Sequence, residues 1–161
     1  MRGCAFTGHR YIAPTHKNGI KQLLVRAIRY CYAEGCREFY NGGARGFDIA
    51  AAETFLAIKD EMPDARLIMI LPCANQDVRW GREESERFRR ILALADEVIC
   101  MSPAYYDGCM QVRNRELVSR SDFLIAYLGQ TTGGTAYTVR LATAKGLRVF
   151  NLYPALDKEG H

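Results

Sequence analysis

The strongest hydrophobic signal in the chain is the unbroken apolar run Leu67-Ile68-Met69-Ile70-Leu71, closed by Pro72. A strand without polar alternation is buried on both faces, as in a parallel sheet covered by helices. Shorter apolar runs over Gly3–Thr7, Phe39–Tyr40, Glu97–Met101, Phe123–Leu128 and Leu147–Leu152 predict further strands. Between them the period changes. Ile20, Leu23, Leu24, Ala27, Ile28 and Cys31 recur at helical spacing and predict an amphipathic helix over Lys17–Glu34, ended by Gly35. The alanine-rich stretch Phe47–Asp60, the charged stretch Glu83–Ala95, and Met110–Arg120 and Ala136–Lys145 predict the remaining helices. Alternation of strand and helix along the whole chain predicts the α/β class, a Rossmann-like three-layer sandwich with a mostly parallel central sheet and right-handed crossovers. One domain is expected over residues 1–153, with 154–161 a short, loosely held tail.

Composition narrows this little. At 161 residues a single domain buries roughly 70% of its unfolded surface. A hydrophobic content of 48% and a charged content of 25% are those of an ordinary globular protein. No apolar segment approaches the roughly 18 residues of a membrane span, and the chain enters its first strand without a signal-peptide core. Six cysteines contain no C-x-x-C pair, so a reduced, cytoplasmic setting is expected rather than a disulfide framework. His9, His16 and His161 lack metal-ligand spacing, and neither a metal nor a bound cofactor is expected. The net charge of +4 contains no basic run. It suits an anionic small molecule better than nucleic acid, because arginines stand beside each loop described next.

Three glycine-rich loops follow predicted strands: Thr7-Gly8-His9-Arg10, Asn41-Gly42-Gly43-Ala44-Arg45-Gly46, and Gly129-Gln130-Thr131-Thr132-Gly133-Gly134-Thr135. In an open parallel sheet such loops gather at one edge. Glycine there lets backbone N–H groups approach a ligand, and a following helix N-terminus favours negative charge. A phosphate-bearing ligand is therefore expected at Gly8, His9, Arg10, Gly42, Gly43, Arg45, Asp48, Asn114, Gly133, Gly134 and Thr135. The spacing matches neither the dinucleotide fingerprint nor the phosphate loop with its lysine. Asp48 reads equally as a helix N-cap or a ligand contact, and Thr135 as a cap or a phosphate contact. His9 suits a structural hydrogen bond as well as a ligand. Trp80 is the base-stacking candidate, against the alternative of packing over the sheet edge. Arg113, on a short helix before Asn114, offers a planar fork of donors to a phosphate.

Taken in order, these segments resemble the SLOG superfamily, closest to its YpsA-type branch and related to the DNA-processing protein DprA and the LOG enzymes. The resemblance rests on the three loops, on Asp48, Pro72, Gln76 and Trp80, and on Met110, Arg113-Asn114 and Gly133-Gly134-Thr135-Ala136-Tyr137. It implies a Rossmann-like fold that binds a nucleotide or nucleotide-derived ligand at the glycine loops. LOG enzymes cleave the N-glycosidic bond of nucleoside 5′-monophosphates with an arginine, matched by Arg113, and a glutamate whose position falls on Tyr137. Tyrosine cannot serve as that carboxylate, and Asp48 or Glu53 would have to replace it. Binding without turnover, as a sensor or regulatory module, is thus the first reading. A LOG-like phosphoribohydrolase with catalytic Arg113 is the second. DprA-like binding of single-stranded DNA ranks third, since the positive charges are interleaved with acids, as over Arg82–Arg87. A homo-oligomer could pair through the Lys17–Glu34 helix, whose apolar stripe suits covering the sheet equally well.

Overall fold

The computed structural model describes residues 2–159. Its strands are β1 (Arg2–Gly8), β2 (Cys36–Asn41), β3 (Arg66–Leu71), β4 (Glu97–Cys100), β5 (Phe123–Tyr127) and β6 (Arg148–Asn151). The helices are α1 (Lys17–Ala33), α2 (Phe47–Ala57), α3 (Arg82–Leu94), α4 (Cys109–Ser119), α5 (Gly134–Ala144) and α6 (Tyr153–Glu159). All strand pairs are parallel, in the order β4-β3-β2-β1-β5-β6.

Because successive strand residues point to opposite faces, each buried strand feeds two cores. Cys4, Phe6, Phe39, Leu67, Met69, Phe123 and Ile125 pack with Leu24 and Ile28 of α1, Phe55 of α2 and Phe88 of α3. Ala5, Tyr40, Ile68, Ile70 and Leu124 pack on the other side with Leu117 and Val118 of α4 and Ala142 of α5. The continuous apolar run in β3 is the consequence of serving both. The stripe on α1 is likewise taken up by the core: Ile20, Leu24, Ile28 and Cys31 are buried against the sheet.

From β1 to β4 the chain steps steadily in one direction. It then returns across the sheet to place β5 on the other side of β1. A right-handed crossover in the reverse direction puts its helix on the opposite face, which is why α4 and α5 part from α1, α2 and α3. Loops leaving β1 and β5 therefore diverge. The crevice between them is the switch point where ligands enter folds of this kind.

The described part of the expected loose tail, residues 154–159, differs from that expectation. It forms α6, with Leu152 and Leu156 buried one helical turn apart in the larger core. Pro154 is the second residue of this helix, within the first turn, where the missing N–H costs nothing. Tyr153 sets its ring 5.0 Å from those of both His16 and Tyr127. His161 lies outside the described residues.

Candidate functional site

The loop after β2 is built around Asn41. Its buried side chain donates to the Asp48 carbonyl at 2.8 Å and accepts from the Gly43 N–H at 2.8 Å. Gly46, at φ 80°, is the N-cap of α2 and lies so close to the Arg10 carbonyl that any side chain would overlap it. Asp48 is consequently not the cap. It sits in the first turn of α2 and closes the loop backwards, with Oδ2 accepting from the Ala44 N–H at 3.1 Å. Its other oxygen, Oδ1, is buried without a hydrogen-bond partner. Burial pushes the Asp48 carboxyl up to about 6, against the opposing influence of the Arg113 charge and the Ala44 N–H.

Arg113 reaches this loop from α4 and is only 4% exposed. It donates to the Gly42 carbonyl, to Asn114 Oδ1 at 2.8 Å and to Met110 Sδ at 3.7 Å. None of those partners carries a charge. Burial pulls the guanidinium below its ordinary range, and Asp48 works in the opposite direction. A buried cation held by uncharged partners is costly, and an incoming anion would offset that cost. Gly42 makes room for the Arg113 guanidinium: a Cβ there would stand 2.6 Å from it.

His9 joins the first loop to the third. Its Nε2 accepts from the Gly129 N–H at 2.8 Å, which assigns the ring proton to Nδ1, and its carbonyl accepts from the Phe47 N–H at 3.1 Å. Partial burial lowers its proton affinity. Beyond Gly129, Gly133 caps α5 at φ 99° without any side-chain cap bond. Thr135 is therefore not a cap either. It is the second residue of a helix whose first N–H groups carry the positive end of the macrodipole.

These parts enclose a cleft of about 450 Å³ lined by Gly8, His9, Arg10, Asp48, Met110, Arg113, Asn114, Gly134 and Thr135, among others. A second lobe of about 650 Å³ adjoins it and carries Arg45, Gln76, Arg79, Trp80 and Tyr105. Arg10, Ala44 and Met110 line both. Most of the expected site residues thus meet in one two-lobed groove.

Several have further roles, and a few stand outside the groove. Gly8 lacks a side chain because the Phe47 ring occupies the space a Cβ would need. Gly43, at φ 70°, admits Phe88 and Leu71, and neither it nor Gly42 or Gly133 lines the groove. Arg45 is held by Glu84 through bonds of 3.1 and 2.9 Å. Trp80 lines the larger lobe while packing edge-on against Phe88, 5.0 Å between ring centroids. Glu53 pairs with Arg87, and Tyr137 meets Arg115 at 3.5 Å, so neither lines the groove and Asp48 is the carboxylate within it. Sequence reasoning passed over Asn41. The signal it missed was a side-chain amide directly before a glycine pair at a strand end, the usual setting of an Asx turn.

The fold and the groove define a doubly wound α/β protein with a cationic cleft at its switch point. The chain belongs to the YspA SLOG family, whose model matches residues 13–151. Among its relatives, UPF0398 protein BBR47_29830 of Brevibacillus brevis is 30% identical over 132 residues, covering 80% of this chain and 68% of the relative. A UPF0398 protein of Bacillus cereus strain G9842 is 29% identical over 130 residues, covering 79% of this chain and 71% of the relative. DNA processing protein A of Helicobacter pylori, described as binding single-stranded DNA, aligns with a TM-score of 0.65 at 25% identity. That match covers 93% of this chain but 64% of the Helicobacter protein. DprA of Streptococcus pneumoniae aligns at 0.66 with 17% identity, over 99% of this chain and 54% of that protein, a likeness of fold. No helix among the described residues is long and apolar enough to cross a membrane.

Proposed function

We propose that the protein binds a nucleotide or nucleotide-derived ligand in the two-lobed groove, as a sensor or regulatory module. The observation that carries this reading is the buried Arg113 guanidinium, bonded only to uncharged groups, sharing a cleft with Arg10 and with the N-terminus of α5, which no side chain caps. Helix N-H groups and an arginine fork together favour a phosphate. The larger lobe, with Trp80 and Tyr105, suits a base. A phosphodiester would present the same anion, and a relative of this fold is described as binding single-stranded DNA. Here, however, Arg45 is taken up by Glu84, which leaves Arg10, Arg79 and Arg113 as the groove arginines without an ion pair among the described residues. So few uncommitted charges favour one small ligand over a long backbone. The six free thiols suit a reducing, cytoplasmic location.

Asp48 favours a second reading, hydrolysis of the N-glycosidic bond of a nucleoside 5′-monophosphate. It is a buried carboxylate with raised proton affinity beside an arginine, the setting in which acid–base groups are found. In this reading Asp48, from α2, stands in for the carboxylate that Tyr137 of α5 does not supply. One experiment separates the readings: the purified protein is incubated with nucleoside mono- and diphosphates, and free base and retained nucleotide are resolved by chromatography. A nucleotide retained intact supports binding without turnover. Base release that disappears in Arg113→Ala supports the hydrolase. Neither retention nor release contradicts both.

A further inference from the structure

Two residues that line the groove each carry a buried polar atom with nothing to bond. Among the described residues, Asp48 Oδ1 and Gln76 Oε1 are the buried side-chain atoms left without a hydrogen-bond partner. Asp48 lines the smaller lobe and Gln76 the larger. Their other polar atoms are anchored to one and the same peptide group. Gln76 Nε2 donates to the Gly43 carbonyl, and Asp48 Oδ2 accepts from the Ala44 N–H at 3.1 Å. The first contact fixes the amide orientation, because a carbonyl can only accept; Oε1 is therefore an acceptor. The Asp48 carboxylate is an acceptor when ionised. Two fixed acceptors, one per lobe, flank the Gly43–Ala44 peptide and lack donors.

Buried acceptors without donors are rare and costly, and here both belong to residues that line the space a ligand would fill. We infer that the ligand carries a ribose hydroxyl that donates to Asp48 Oδ1 and a base N–H that donates to Gln76 Oε1, so that the protein selects ribonucleotides with an amino-bearing base. This rests on the groove being the nucleotide site proposed above. The assignment of ends follows from the surroundings. Arg113, Asn114 and the α5 N-terminus place the phosphate in the lobe of Asp48, where the sugar must adjoin it. Trp80 and Tyr105 place the base in the lobe of Gln76. Asp48 is only 4% exposed, so the hydroxyl would bond to it out of competition with bulk water.

The test titrates adenosine 5′-monophosphate, its 2′-deoxy and 3′-deoxy forms, and the 5′-monophosphate of purine riboside, which lacks the amino group, by calorimetry at neutral pH. The expected result is that adenosine 5′-monophosphate binds, that one deoxy form binds about tenfold or more weakly, and that the form without the amino group binds several-fold more weakly. In Asp48→Asn the asparagine oxygen keeps the Ala44 contact, and the ribo-to-deoxy ratio narrows while the amino preference persists. In Gln76→Met the amino preference is lost while the ribo-to-deoxy ratio persists. Equal affinity of the wild-type protein for all four compounds would overturn the inference while leaving the groove as a nucleotide site. Binding of none of them would overturn that site and the inference with it. Measurements on the wild-type protein alone decide the matter if either variant fails to fold.

Discussion

Replacing Asp48 with asparagine should change how stability depends on pH, and by an amount the structure sets. The carboxyl is buried, and its proton affinity rises from 3.8 to about 6, chiefly because burial penalises the charged form. With the native value above the unfolded one, the native state holds the proton more tightly. Below about pH 4 both states are protonated and burial of Asp48 carries no ionisation penalty. As pH rises through about 6, the unfolded chain has already released its proton and the native state must follow at a cost. At 1.36 kcal/mol per unit, the wild-type protein loses roughly 3 kcal/mol from this group across that window. Asparagine does not titrate and can still accept from the Ala44 N–H. The wild-type stability minus that of Asp48→Asn should therefore fall by roughly 3 kcal/mol between about pH 4 and about pH 8. Every other titrating group cancels in the difference to first order. Urea unfolding of both proteins across the range, with slopes compared to confirm equivalent transitions, measures it. A difference that stays flat with pH would refute the desolvated Asp48, and with it the acceptor on which the ligand inference depends.

Gly8→Ala should lower stability by about 1–3 kcal/mol in thermal or urea unfolding, because the new methyl overlaps the Phe47 side chain. Arg45→Ala should change stability by less than about 1 kcal/mol and leave nucleotide affinity unaltered, since Arg45 is committed to Glu84. Arg10→Ala, removing a charge that borders both lobes, should weaken adenosine 5′-monophosphate binding about tenfold in the same calorimetric assay. Leu156→Ala should cost about 2–5 kcal/mol in urea unfolding, as expected for a core residue and not for a loose tail.

The layers of the fold were legible because the hydrophobic period carries them directly. The two-sided run in β3 announces a strand between helices, and the stripe on α1 announces the face that covers it. β2 was harder to delimit: its Cys36 and Glu38 join the sheet through pairing with β1 and β3, which only tertiary contacts supply. α6 was not expected because the few residues after the last strand read as a terminal tail, although a first-turn proline is harmless and Leu152 and Leu156 hold the helix down. The site was legible as a set of loops, since glycines at strand ends mark them. The reason for each glycine was not. Gly8, Gly42 and Gly129 accommodate Phe47, Arg113 and Tyr153, so much of the glycine pattern shapes the site through packing inside the protein. Spacing likewise could not separate Arg45, tied to an acid from α3, from Arg113, buried among uncharged groups, because those partners lie far away in sequence.

The most direct test of the groove as a nucleotide site is a calorimetric titration of adenosine 5′-monophosphate into the wild-type protein and into Gly134→Val. A Cβ at Gly134 lies 3.9 Å from Asn114 Nδ2, an ordinary contact, so the variant should fold and show an unchanged circular dichroism spectrum. The two added methyls then project from the first turn of α5, where backbone N–H groups would meet the phosphate. A nucleotide site in the groove requires saturable binding to the wild-type protein and none to the folded variant. Equal binding to both, or no binding to the wild-type protein, would contradict it.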